Sequence, residues 1–123
     1  MNNRRVVVTG MGIVSPVGLT LSENWQNITN GVSGIGKITH FDPEGFPCQI
    51  AGQVNDFDPS NYMPAKEARK MDRFIQLGMA ASLDAFKDSG LEVTEENAER
   101  IGVHVGSGIG GIESIQTATK TLQ

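Results

Sequence analysis

The sequence predicts an α/β fold, because a short apolar run passes directly into a glycine-rich turn at two separate places. The first place is residues 5–18, RVVVTGMGIVSPVG, and the second is residues 100–111, RIGVHVGSGIGG. A continuous β-branched run such as residues 6–8 is typical of a strand buried on both faces of a parallel sheet. A helix-start signal follows the first turn, and helically spaced apolar residues follow the second. Each place is therefore predicted to be a β-turn-α unit.

The first helix is predicted to begin at Thr20, which forms a capping-box pair with Glu23. Gly31 is a typical stop for this helix. Its apolar positions define a narrow stripe, formed by Leu21, Trp25 and Ile28.

Residues 32–90 are interpreted as a loop and helical segment inserted into one N-terminal domain that occupies residues 1–123. Glycine, proline and aspartate interrupt its first half, and a connection of this length is usually functional or an inserted unit. Alternating polar and apolar residues at 48–54 predict a short strand within it.

A basic helix is predicted to begin at Pro64 and to run to about Met71. Lys66, Arg69 and Lys70 have i, i+3 and i+4 spacing, which places them on one helical face. This patch opposes the net charge of −4. It is interpreted either as a solvated surface or as a dock for an acidic partner, where charge speeds encounter and fixes orientation.

The next helix is predicted over residues 72–89, and its apolar residues cover most of its circumference, as in a deeply buried helix. Gly90 and Leu91 are typical of a Schellman stop. One frayed turn is predicted over residues 93–99, then the second strand, then a helix after Gly111. Two long strands would leave open sheet edges, so we expect this chain to be a fragment of a larger protein.

Bulk composition excludes several classes of protein. The 123 residues suffice for one domain, and 38% of them are hydrophobic. The negative net charge argues against a nucleic-acid partner, and no apolar stretch approaches the length of a membrane span. A single cysteine agrees with a reducing compartment, so we expect a cytoplasmic protein.

The second glycine turn, residues 106–111, satisfies the pattern G-x-G-x-x-G after a predicted strand and before a predicted helix. That is the context of a dinucleotide-binding fingerprint, although its acidic partner about 20 residues further on would lie beyond Gln123. The alternative is structural, with glycines that permit tight turns and close backbone packing. The residues alone favour the structural interpretation without excluding the other.

Three reactive side chains show no catalytic or metal-binding context. Cys48 has neither a helix N-terminus nor a neighbouring base to lower its pKa. His40 and His104 lack metal-ligand spacing to another His, Cys or carboxylate. No metal site is expected.

Four segments together resemble the N-terminal part of the β-ketoacyl-acyl-carrier-protein synthase II family of condensing enzymes. They are RRVVVTGMGIVSPVG, GVSGIGKITHFD, KEARKMDRFIQLGMAAS and ENAERIGVHVGSGIGG, and the resemblance extends over essentially the whole chain in one register. It implies part of the N-terminal half of a thiolase-like fold with αβαβα layers, which is incomplete in this chain. It also implies a homodimer.

The resemblance further implies fatty acid elongation by decarboxylative Claisen condensation of an acyl-enzyme with malonyl-acyl-carrier protein, through covalent catalysis on a thiolate. The family's catalytic cysteine and two histidines match no residue here, so the isolated chain is expected to be inactive. No cofactor is implied, because acyl groups arrive on the phosphopantetheine of acyl carrier protein.

Two sets of residues inherit roles from the resemblance. Lys66, Arg69 and Lys70 match the basic helix that docks acyl carrier protein, and Gly108 and Ile109 match the lining of the acyl-chain pocket. Two alternatives stay open, a non-catalytic carrier-protein-binding or scaffold module and a nucleotide-binding α/β protein.

Overall fold

The computed structural model describes residues 4–122. Four helices and two short strands are formed within that range, together with 3-10 turns at Pro59–Asn61 and Ala98–Arg100. The helices are α1 (Leu21–Thr29), α2 (Ala65–Ala68), α3 (Arg73–Ser89) and α4 (Ile112–Thr121), and the strands are β1 (Ile35–Lys37) and β2 (Ile50–Gly52).

Helix α1 begins and ends where its sequence signals predict. The Thr20 side chain accepts a hydrogen bond from Glu23 N at 3.2 Å, and Glu23 Oε2 accepts one from Leu19 N at 2.7 Å. At the other end Gly31 has φ of +70°, and Val32 N donates to Asn27 O at 2.9 Å. This is a Schellman ending, which glycine favours because it adopts a positive φ without strain.

Strands β1 and β2 pair antiparallel, with Ile35 opposite Gly52 and Lys37 opposite Ile50. The strand predicted over residues 48–54 is therefore confirmed at its centre.

The buried core lies where the 3-10 turn at Pro59–Asn61 meets α2 and α3. Its buried apolar side chains are Phe57, Met63, Ala68 and Ala80. Tyr62 stacks on Phe57 with ring centroids 5.8 Å apart, and the Arg73 guanidinium lies 4.7 Å from the centroid of the Phe57 ring.

Helix α2 is shorter than predicted, because the chain turns out of the helix after Ala68. Lys70 N and Met71 N donate to carbonyls three residues earlier, which tightens the turn. The Gln76 side chain donates to Ala68 O at 2.9 Å and to Met71 O at 3.1 Å. A tertiary contact from α3 therefore ends α2, and the helical periodicity contains no signal for it.

The strands predicted at residues 6–8 and 101–105 are wrong for the structure of this chain, since neither run belongs to a hydrogen-bonded ladder. Val6 is 94% exposed and Val103 is 86% exposed. The physical reason is that a strand requires a neighbour, and these two runs have none among residues 4–122.

The bounds predicted for α3 are confirmed, including Gly90 with φ of +63° at its end. The prediction of deep burial is wrong, because Ala80 is the only buried residue of α3. Its large apolar side chains are partly exposed, namely Phe74, Ile75, Met79, Leu83 and Phe86. The Leu91 amide hydrogen-bonds to Ser89 Oγ at 3.1 Å in place of a Schellman bond.

Candidate functional site

The predicted basic patch forms an exposed corner of the molecule, which we call the basic corner (Lys66, Arg69 and Lys70). Lys66 lies in α2, Arg69 caps its C-terminus and Lys70 lies in the turn that follows. Lys70 Nζ is 3.3 Å from Glu67 Oε1, and both side chains are solvated. Exposed ion pairs contribute little to stability, so these charges are available to a partner.

A cleft of about 790 Å³ separates the basic corner from α4. Arg69, Lys70 and Arg73 line one side of this cleft, whereas Lys66 does not line it. The opposite wall comes from α4 and includes Glu113, Ser114 and Thr117. Arg73 belongs to the cluster of basic residues evident in the sequence, whereas the α4 wall was missed, because it lies about 40 residues further along the chain.

Half-buried polar side chains hold the basic corner in place. Arg73 donates from its two terminal nitrogens to Val54 O at 3.2 Å and to Phe57 O at 3.4 Å. Gln76 spans the bend between α2 and α3 through its two carbonyl contacts. The corner is therefore fixed to the buried core around Phe57.

The glycine turn, residues 106–111, lies against the first turn of α3. A Cβ placed on Gly110, which has φ of +72°, would lie 3.0 Å from Cζ of Phe74. A Cβ on Gly111 would lie 1.9 Å from Oδ2 of Asp72, whereas Gly106 and Gly108 face open space. The last two glycines of the turn, Gly110 and Gly111, thus permit close packing against α3.

This geometry opposes the dinucleotide interpretation of the glycine turn. A pyrophosphate would bind at the N-terminus of the following helix, which here is α4. The Asp72 carboxylate already lies there, because Oδ1 accepts a hydrogen bond from Ser114 Oγ at 2.5 Å. A carboxylate at that position repels a phosphate.

The two residues predicted to line an acyl pocket lie at the bend of the glycine turn. Ile109 is 76% exposed and Gly108 has open space around its Cα. Their role in a pocket stays a prediction.

The remaining candidate residues are dispersed. Cys48 is exposed, and its Sγ lies 3.4 Å from Ile50 O. Within residues 4–122, no group of three or more His, Cys, Asp and Glu side chains is arranged to hold a metal ion. No helix in this range is long and apolar enough to cross a membrane.

Two ionisable groups near the core have shifted pKa values. Partial burial raises the pKa of Tyr62, and the hydrogen bond from its hydroxyl to Asp84 Oδ2, 3.1 Å long, adds to the shift together with the negative charge of Asp84. Hydrogen bonds from the backbone and the side chain of Ser60 lower the pKa of Asp58, which caps the turn at Pro59–Asn61. Neither group borders the cleft, so both are interpreted as structural.

Comparison with known proteins relates this geometry to one family. Residues 3–123 match the family model described as beta-ketoacyl synthase, N-terminal domain. Two relatives are named 3-oxoacyl-[acyl-carrier-protein] synthase 2. The one from Vibrio harveyi is 55% identical to this chain, and the one from Vibrio cholerae is 57% identical. Each match covers 99% of this chain but only 29% or 30% of the relative.

A solved structure described as the ishigamide ketosynthase/chain length factor superposes with a TM-score of 0.76 at 34% identity. The match covers 95% of this chain and 29% of that chain. The predicted fold class, part of a thiolase-like α/β fold, is confirmed.

Proposed function

Because the chain belongs to the β-ketoacyl synthase family, we propose that it forms the N-terminal part of a 3-oxoacyl-acyl-carrier-protein synthase. The observation that carries the proposal is the identity of 55–57% over nearly the whole chain to relatives of that name. The proposed enzyme elongates fatty acids by decarboxylative Claisen condensation of an acyl-enzyme with malonyl-acyl-carrier protein.

Within this reaction the chain would contribute recognition, while the nucleophile would come from elsewhere. Covalent acyl transfer requires a thiolate activated by a base or by a helix N-terminus. Cys48 has neither, since the strand β2 begins two residues later and the Cys48 thiol lies against a carbonyl. Acyl groups would arrive on phosphopantetheine, with no further cofactor. The homodimer and the cytoplasmic location stay predictions.

The first test is acyl transfer to the chain itself. We expect no labelled acyl group to move from acyl-acyl-carrier protein onto this 123-residue chain, because it lacks an activated thiolate. The full-length Vibrio harveyi relative, assayed in parallel, serves as the positive control. Covalent label on Cys48, abolished by Cys48→Ser, would contradict the assignment of a missing nucleophile.

Carrier-protein docking at the basic corner is the second part of the proposal. Three exposed cations on one corner suit an acidic partner, because opposite potentials steer the encounter and fix its orientation. The same observation supports a second candidate function, a carrier-protein-binding module without catalysis.

Charge reversal tests the docking surface. Replacing Lys66, Arg69 and Lys70 by glutamate places like charges opposite the partner, so we expect affinity for acyl carrier protein at low salt to fall about tenfold or more. The matched control reverses three exposed cations elsewhere, Arg4, Arg5 and Lys37, with the same change in net charge. Equal weakening by both triple variants, measured by titration calorimetry, would show a nonspecific charge effect and would remove the docking assignment.

A further inference from the structure

Asp72 caps the start of α3, yet its carboxylate is directed to a different helix. As the residue before α3 it is placed to accept a hydrogen bond from the first turn, the usual role of an aspartate there. No such side-chain bond is formed in α3. Instead Oδ1 accepts the hydrogen bond from Ser114 Oγ, in the first turn of α4.

The same carboxylate contacts the glycine turn. Oδ2 lies against Gly111 so closely that a Cβ at that position would be 1.9 Å away. Gly111 caps α4 without a side-chain hydrogen bond of its own. Asp72 therefore supplies, from another element, the negative charge that the N-terminus of a helix favours.

Phe74 provides a second contact between the same two elements. The face of its ring covers Gly110 at Cζ, where a Cβ would lie 3.0 Å away, and the positive φ of Gly110 already disfavours any other residue. The first turn of α3 thus holds two successive glycines, and Ile109 directly precedes them.

The first turn of α3 is also connected to the basic corner. Lys70 lies two residues before Asp72, and Gln76 fixes the intervening bend through the carbonyls of Ala68 and Met71. A continuous series of contacts therefore links the basic corner to the glycine turn.

We propose that Asp72 is a positioning residue that holds the glycine turn, and with it Ile109, on the first turn of α3. The chemical basis is the pair of contacts made by one carboxylate, on Ser114 and on Gly111. The placement of Ile109 in an acyl pocket rests on the proposed function, whereas the positioning of the glycine turn by Asp72 does not.

Hydrogen exchange of the α4 amides in the 123-residue chain tests the positioning. Losing a hydrogen bond to a charged group promotes local opening, so Asp72→Ala is expected to accelerate exchange in α4 by about tenfold or more. The control is Asp58→Ala, which removes a carboxylate that caps its own turn and is expected to leave α4 unchanged. Unchanged α4 exchange in Asp72→Ala would overturn the proposal.

Conservative and steric variants separate positioning from general destabilisation. Asp72→Asn retains an oxygen that accepts from Ser114 and is expected to restore most of the protection. Gly111→Ala displaces the carboxylate while leaving it in the sequence, and is expected to reproduce the acceleration. Acceleration that extends equally to α1 would indicate global unfolding and would count against a positioning role.

A spectroscopic probe reports the turn directly. With Trp25→Phe as background, Ile109→Trp places a single indole beside the glycines. Its fluorescence anisotropy is expected to fall on Asp72→Ala and to recover with Asp72→Asn, and an unchanged anisotropy would contradict the proposal. Neither measurement uses acyl transfer, so the proposed function and this inference can fail separately.

Discussion

Tyr62 shows how one side chain joins two parts of the core. Its ring stacks on Phe57, and its hydroxyl donates to Asp84 Oδ2 in α3. No local sequence signal indicates this link, because 22 residues separate Tyr62 from Asp84. The same holds for Asp72 and Ser114, which are 42 residues apart. Capping signals are local and can be predicted, whereas such pairs depend on the tertiary fold.

Titration of Tyr62 is predicted to have a midpoint above the usual value of about 10. Burial, then the hydrogen bond to Asp84, raise its pKa in the folded state. The contribution of the neutral Tyr62 phenol to the free energy of unfolding is therefore present below pH ~10. It is lost as the pH rises through the pKa of Tyr62 in the folded state. Tyr62 is the sole tyrosine, so ultraviolet absorbance of tyrosinate measures it without ambiguity.

The urea-unfolded chain is the reference for this titration, and its midpoint is expected to be lower. Asp84→Asn removes a negative charge and should move the folded midpoint down, but not to the unfolded value, because burial remains. Identical folded and unfolded midpoints would contradict the assignment.

At the scale of elements, the ends of α1 and α3 follow local signals, whereas the end of α2 and the short strands depend on tertiary partners. The caps of α1 and the glycine at the end of α3 were predicted from neighbouring residues. The runs at residues 6–8 and 101–105 have the composition of buried strands, yet composition does not supply a neighbouring strand. The large apolar side chains of α3 are partly exposed for the same reason, since much of the surface that would cover them is not formed by residues 4–122.

The first glycine turn packs on α3 through its backbone. A Cβ on Gly12 would lie 2.0 Å from Ala81 O and 2.6 Å from Ala85 N. Backbone atoms of a helix do not yield without breaking its hydrogen bonds, so Gly12→Ala is expected to lower the free energy of unfolding by about 1–3 kcal/mol. Urea denaturation followed by circular dichroism measures the change.

Gly36→Ala is the matched control for Gly12→Ala. Gly36 lies in β1 with open space where a Cβ would be added, and its φ is not positive. We therefore expect Gly36→Ala to change stability by less than about 0.5 kcal/mol. Equal stability of both variants would show that the first glycine turn does not pack on α3 as described.

At the scale of the molecule, the candidate site was predictable in part. The spacing of Lys66, Arg69 and Lys70 placed them near one another, and the structure gathers two of them at the cleft. The α4 wall was not predictable, because α3 brings its first turn against a helix about 40 residues further along the chain. The family resemblance identified the chain more specifically than the glycine pattern, since that pattern serves here to pack on Asp72 and Phe74.

The exposed apolar runs predict how the isolated chain behaves in solution. Val8 and Val103 lie on runs that pair with no strand among residues 4–122 and that carry large exposed apolar side chains, which is the combination that promotes strand pairing between molecules. We expect the 123-residue chain to bind a hydrophobic dye and to self-associate with rising concentration. Val8→Lys together with Val103→Lys should reduce both effects, because a charged side chain opposes edge pairing.

Val93→Lys is the control for this pair of substitutions, since Val93 is exposed but lies outside both runs. Dye fluorescence and sedimentation velocity measure the two effects. If Val93→Lys reduced association as strongly as the substitutions in the runs, surface charge in general would be the cause. If association were unchanged in every variant, the two runs would not form the surface through which the molecules associate. The exposed face of α3 would then be the next surface to substitute.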